Sequence, residues 1–155
     1  MPTLAYNKRA KFDYDISQTF EAGLVLFGQE VKSVKTGHVS LKGAFVTVKA
    51  GNLKLPELYL INAHIPAYKH ASKLDGYDPY RSRKLLLKKK EINYLIGKKQ
   101  EQGLTLVPIK IYTKRSLLKL EFGIGKGRKK YDKRDVIKQR ESDRKLRSLQ
   151  KLSHR

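Results

Sequence analysis

The last thirty residues of this chain cannot build a hydrophobic core. Residues 126–155 carry 13 Lys and Arg against 4 Asp and Glu, and their aliphatic side chains are Val136, Ile137, Leu146, Leu149 and Leu152. Five such residues mark one weak helical stripe and enclose nothing. The segment is therefore expected to be disordered alone and helical when bound to a partner. What folds must be the preceding 125 residues, which hold 22 Lys and Arg against 10 Asp and Glu. A domain of that length can bury a real core. The expected division is a folded domain over 1–125 and a basic tail over 126–155.

Together the two parts give a formal charge of +21. Self-repulsion of that size opposes compaction, and a polyanionic partner is its simplest explanation. With no Cys in the sequence, disulfide scaffolds, thiolate zinc sites and cysteine nucleophiles are excluded together. A reducing, cytoplasmic setting fits. Residues 1–12 include Lys8, Arg9 and Lys11 but no apolar run, so no signal peptide is expected. The richest apolar stretch, 22–28, is far below the roughly 18 residues that span a bilayer. No membrane partner is expected.

Strand signals dominate the body. Leu118, Leu120, Phe122 and Ile124 alternate with Lys119, Glu121 and Gly123, a period of two with one apolar face. Residues 44–49 (AFVTVK) and 53–61 flank the turn signal Ala50-Gly51-Asn52 and predict a hairpin. Pro56 in the second run implies an edge or a bulge, and Pro108 implies the same for a strand over 104–112. A further extended piece is expected within 14–26. Two helices interleave. One covers 29–35 and stops at Gly37. The other covers 91–99, with Ile92, Leu95 and Ile96 on one face and no good N-cap. Asp75-Gly76-Tyr77-Asp78-Pro79 reads as a turn. The fold class is thus mainly β with helices: an OB-like, partly closed antiparallel barrel with inserted helices and a basic C-terminal tail. Such barrels bind oligonucleotides on a sheet face and its loops.

Enzyme chemistry finds no support. Gly123, Gly125 and Gly127 suggest a phosphate loop, but Arg128 breaks the spacing. They read better as a flexible exit from the barrel into the tail. His38, His64, His70 and His154 lack metal-ligand spacing, and a surface or RNA-facing role suits them better. Asp13 and Asp15, near Arg9 and Lys11, read as a solvated ion-pair cluster. No catalytic residue, metal or cofactor is expected.

Basic clusters with interleaved aromatics are the positive signal: Tyr6-Asn7-Lys8-Arg9; Lys32, Lys35 and Lys42; and Tyr77, Tyr80, Arg81, Arg83 and Lys84, with Lys88 to Lys90 beyond. Lys and Arg bind phosphates, and Tyr stacks on unpaired bases. Glu21, within Phe20-Glu21-Ala22-Gly23, has two readings. Its carboxylate can accept from a guanine edge or a sugar hydroxyl, or it can form an internal salt bridge with a nearby Lys.

Five blocks in order, NKRAKFDYDI (7–16), FEAGLVLFGQEVKSVKTG (20–37), RSRKLLLKKKEI (81–92), GLTLVPIKIY (103–112) and GKGRKKYDKRDVIKQRE (125–141), resemble the SmpB family of tmRNA-binding proteins. The resemblance implies a barrel that grips the tRNA-like domain of tmRNA. It implies delivery to stalled ribosomes, with elongation factor Tu and GTP engaged indirectly through alanyl-tmRNA. It carries a tmRNA-binding role onto Asn7, Glu21 and Leu86, with Lys8, Arg9, Lys32, Lys35, Arg83 and Lys84 in the same blocks. It carries a role in the decoding centre and mRNA channel, against small-subunit rRNA, onto Lys126, Lys130, Tyr131, Asp132, Lys133, Arg134, Lys138 and Arg140. A monomer in a 1:1 complex with tmRNA is implied. Gly125 departs from the Ala common in the family, and beyond Ser142 the tail matches only in basic character. The competing class is a ribosomal protein or general RNA chaperone with the same barrel.

Overall fold

A computed structural model of the chain describes residues 2–50, 55–69, 76–101 and 103–153. Eleven elements follow one another among these residues: β1 (Thr3–Tyr6), α1 (Ala10–Asp13), β2 (Tyr14–Leu24), α2 (Gly28–Lys35), β3 (Phe45–Ala50), β4 (Pro56–Ile61), β5 (Arg83–Leu86), α3 (Lys89–Lys99), β6 (Leu104–Lys114), β7 (Leu117–Gly127) and α4 (Lys130–Ser153). The sheet order is β1-β6-β3-β4-β5-β2-β7, and β6 also pairs with β7. Six antiparallel strands therefore close a ring, and β1 is added outside β6. This is the expected partly closed barrel. Two of its seams are thin. β3 meets β6 through the single pair Val46 and Leu106, and β2 meets β5 through Gly23–Leu86 and Leu24–Leu85.

The period-two alternation in β7 does what it predicts. Leu118, Leu120, Phe122 and Ile124 all face the interior. They meet Leu58 and Leu60 of β4, Leu85 of β5, and Leu106 and Ile111 of β6. Val34 of α2 and Leu95 of α3 complete this core, both fully buried. α2 ends as Gly37 predicts. Gly37 adopts φ +84°, its N–H donates to Val34 O at 2.9 Å, and the His38 N–H donates to Ser33 O at 3.0 Å. That pair of bonds is a Schellman stop. α3 has no side-chain cap, as expected.

Three expectations change. Pro56 is neither on an edge nor in a bulge: it opens β4 opposite Ala50, and β4 is paired on both sides. The first residue of a strand needs no ladder donor, so proline is tolerated there. Pro108 does sit at a bulge, where the β6–β7 register shifts. The glycines at the end of β7 are not a flexible exit. The strand runs to Gly127, two residues past the expected boundary, and stays paired with β2 throughout. A Cβ on Gly123 would lie 2.6 Å from Ile16 Cγ2 and 2.9 Å from the Gln18 carbonyl oxygen. Glycine is needed there because β2 crosses too closely for any side chain.

Candidate nucleic-acid interface

β2 builds an outward strip by simple alternation. Ala22 is buried, while Glu21 and Val25 face solvent and Gly23 lies between them. Beside Gly23 lies Leu86, 54% exposed. A Cβ on Gly23 would come 3.3 Å from that of Leu86, so the missing side chain is what lets Leu86 lie across the strand. The Val25 N–H donates to Lys84 O at 3.0 Å, holding the next turn of the strip to β5. Lys84 itself reaches Glu57 at 3.0 Å. Glu21, Lys84 and Leu86 thus share one surface, though they come from two separate sequence blocks.

The internal-pair reading of Glu21 is the one its surroundings show. Its carboxylate accepts from the Tyr112 hydroxyl and from Lys114 Nζ at 3.3 Å. The Tyr112 bond first, with Lys114, holds the carboxyl below the usual glutamate range. Burial and Glu21 push the Tyr112 hydroxyl above its own usual range, so it remains a donor. The internal pair is therefore real. Yet the Glu21 side chain stays 35% exposed, with acceptor capacity left on its outer edge.

Arg83 is a correction. It is expected at the RNA surface, but it is fully buried. Its guanidinium donates to Glu30 Oε2 at 2.7 Å, Ala63 O at 2.8 Å, Pro79 O at 3.0 Å and the Tyr77 hydroxyl at 3.2 Å. With those donors occupied inside the fold, it makes no outward contact. Glu30 is buried too, and it also accepts from Arg81 Nε at 3.1 Å and from the Phe27 N–H at 2.9 Å. Burial alone would raise the Glu30 pKa, but the bonds from Arg81, Phe27 and Arg83 outweigh it and hold the carboxyl below its usual value.

The N-terminal cluster is arranged around the bulge in β6. Asn7 Nδ2 donates to Pro108 O at 2.9 Å, and its Oδ1 accepts the Arg9 N–H at 3.3 Å. Asn7 is half-buried, while Lys8 and Arg9 are exposed. In this fold Asn7, Lys8 and Arg9 line an open cleft of about 840 Å³ together with Lys42 and Phe45. Lys32 and Lys35 are exposed on α2, with Lys32 Nζ 5.7 Å from the Tyr68 ring centroid.

The tail begins at the same end of the molecule. Asp13 accepts from Arg9 at 3.2 Å and from Lys133 at 3.2 Å, while its backbone carbonyl accepts the Arg128 N–H at 2.8 Å. The Phe12 ring lies under Arg9, Lys133 and Arg140, at 5.4, 5.9 and 5.8 Å. Of the cluster expected at Asp13 and Asp15, the ion pairs form at Asp13, with Arg9 and with Lys133 instead of Lys11. Lys126, Arg134 and Lys138 are exposed. Lys130, Tyr131 and Asp132 open α4, and their side chains lie outside the described residues. His70, His154 and Asp75 also lie outside them. His64 packs its ring 4.8 Å from that of Tyr80, and His38 Nδ1 meets Thr36 Oγ1 at 2.9 Å.

Sequence reasoning passed over Phe27. It is 54% exposed, and the Arg81 guanidinium lies 3.9 Å from its ring centroid. No local pattern signalled it, because an aromatic residue just before a helix can equally pack inward. Among the described residues, no group of three His, Cys, Asp or Glu could hold a metal ion, and no helix is long and apolar enough to cross a membrane.

Comparison with known proteins follows the same outline. The family described as SmpB protein matches residues 4–152. The SsrA-binding protein of Geobacillus thermodenitrificans is 48% identical over 143 residues, covering 92% of this chain and 88% of its own. That of Thermosipho melanesiensis is 47% identical over 152 residues, covering 97% and 99%. A chain from the solved structure described as "tmRNA-SmpB: a journey to the center of the bacterial ribosome" superposes with a TM-score of 0.64 at 44% identity, covering 81% of this chain and 84% of that one.

Proposed function

The chain belongs to the SmpB family, and on that premise we propose that it binds the tRNA-like domain of tmRNA and brings alanyl-tmRNA to ribosomes stalled without a stop codon. It acts by binding, without catalysis or cofactor. The observation that carries this reading is the match over residues 4–152 together with the strip on β2 and β5, where an acid and an apolar side chain interrupt a cationic surface. Charge alone grips any RNA, whereas Glu21 and Leu86 add groups that select. Asn7, Lys8, Arg9, Lys32, Lys35 and Lys84 supply the remaining contacts of the body. Arg83 contributes from inside, by holding Glu30.

The folded body and tail have separate duties in this proposal. The tRNA-like domain supplies an acceptor arm, and the protein stands where an anticodon arm would. Elongation factor Tu with GTP engages the aminoacyl end of the RNA. The tail, from Lys126 through Lys130, Tyr131, Asp132, Lys133, Arg134, Lys138 and Arg140, enters an mRNA channel walled by small-subunit rRNA. A channel holding message excludes it sterically, so tail entry reports a missing message. The tail is helical over Lys130–Ser153 in the chain by itself, where disorder was expected without a partner, and the body works as a monomer on one tmRNA.

Truncation after Gly127 tests this division. The shortened protein is expected to bind the tRNA-like domain as the full chain does and to support no tagging on stalled ribosomes. Full tagging by the truncated protein would overturn the role of the tail. Competition between tmRNA and bulk tRNA at fixed salt tests the grip. Equal affinity for both favours a general RNA-binding protein instead.

A further inference from the structure

Phe27 is an exposed aromatic ring supported by a half-buried arginine and a buried ion pair. It sits at the N-terminal boundary of α2, 54% exposed. The Arg81 guanidinium covers one face at 3.9 Å from the centroid. Arg81 does not wander, because its Nε donates to both Glu30 oxygens at 3.1 and 3.2 Å. The Phe27 backbone is held by the same carboxylate, through the N–H bond at 2.9 Å. Glu30 is in turn fixed by Arg83, and both are fully buried. One buried acid thus anchors the ring and the cation beneath it.

Such construction has no purpose in packing, since the ring contributes little to the core. Its placement does suggest a purpose. Phe27 continues the outward strip of Glu21, Gly23 and Val25, and Arg81 Nη2 lies 3.5 Å from Val25 O. The surrounding cations Arg81 and Lys84 suit a phosphodiester chain. An open aromatic face backed by a guanidinium, set among cations, is a stacking platform for a base.

We propose that Phe27 stacks on one unpaired nucleobase of the bound RNA, with Arg81 as the fixed support beneath it. The inference rests on the tmRNA-binding reading above and adds a contact to it. It requires that the bound RNA present a base outside its own stacks at this strip, which is how proteins usually read RNA.

The chain contains no Trp, so Phe27→Trp creates a single fluorescent reporter at the platform. Binding would be measured at fixed salt with a transcript of the tRNA-like domain, for the full-length chain and for F27A, F27L and F27W. Leu117→Ala, at the exposed first residue of β7, serves as the control. F27A and F27L are expected to bind roughly 5- to 100-fold more weakly, as loss of one stacked base does. F27W should bind as the wild type does, with its emission quenched on saturation, and L117A should be unchanged. Wild-type affinity in F27A, or unquenched F27W emission in the saturated complex, would overturn the proposal while leaving the tmRNA reading intact. Failure of the wild type to bind the transcript at all would overturn that reading, and this one with it.

Discussion

Arg83 is the residue whose sequence context most misstates its role. It stands in a run of cations, yet it lies inside, on a carboxylate contributed by α2. A buried ion pair contributes little over an apolar replacement, but breaking one leaves an uncompensated charge. Arg83→Ala is therefore expected to cost about 3–5 kcal/mol in chemical denaturation, while substitution of exposed Lys35 leaves the midpoint nearly unchanged. The pH dependence has a definite sign. Because the folded-state pKa of Glu30 lies below its unfolded value of 4.5, its contribution is complete above that value and is lost as pH falls through the folded value. Denaturation midpoints measured down through this window should fall for the wild type. Those of Glu30→Gln should start lower and lose this component. Composition marked Arg83 as basic but could not reveal the match, because Glu30 is remote in sequence. The same holds for Glu21, whose partners Tyr112 and Lys114 lie in β6. Asn7 stands in a block that carries the family resemblance, but its bond to the carbonyl of Pro108 depends on a bulge that no local pattern announces.

At the level of elements, long periodic runs were readable and short ones were not. β7 and the β3–β4 hairpin follow from alternation and turn chemistry, and α2 from its flanking glycines. β5 was missed because its inward residues are Arg83 and Leu85, so its pattern reads as charge followed by a leucine run. β1 and α1 have four residues each, too few for a period to show. The packing of β2 on β7 is stricter than their sequences suggest. Gly123→Ala would drive a methyl group into Ile16 and the Gln18 carbonyl. It should destabilise the fold by about 1–3 kcal/mol through overpacking, checked by thermal unfolding against Gly97→Ala, where a Cβ meets nothing within 4 Å. α4 is the opposite case. Leu146, Leu149 and Leu152 are all about 60% exposed, so its apolar stripe gains nothing from the body, and its described ties gather near its beginning at Phe12 and Asp13. The stripe was legible in the sequence, and the body leaves it exposed.

For the whole molecule, the charge of +21 sets how binding responds to salt. Each phosphate contact releases counterions, so affinity for the tRNA-like domain should fall roughly 10³-fold or more between 50 and 200 mM salt if six or more phosphates are engaged. The logarithmic slope should be the same for the full chain and for the chain truncated after Gly127. For the ribosome, truncation should flatten it. Equal slopes on the ribosome would show that the tail makes no phosphate contacts there. The ring also fixes an order of events at synthesis. β3, β4 and β5 can pair as they emerge, and β6 with β7 form a tight hairpin through Arg115 and Ser116, both at positive φ. The earliest strands must wait longest: Thr3 pairs with Tyr112, and Tyr14 with Gly127. Such distant partners make closure slow, and a nascent chain exposes unpaired strands until they arrive. Closure thus waits until Gly127 has cleared the ribosome that is making it.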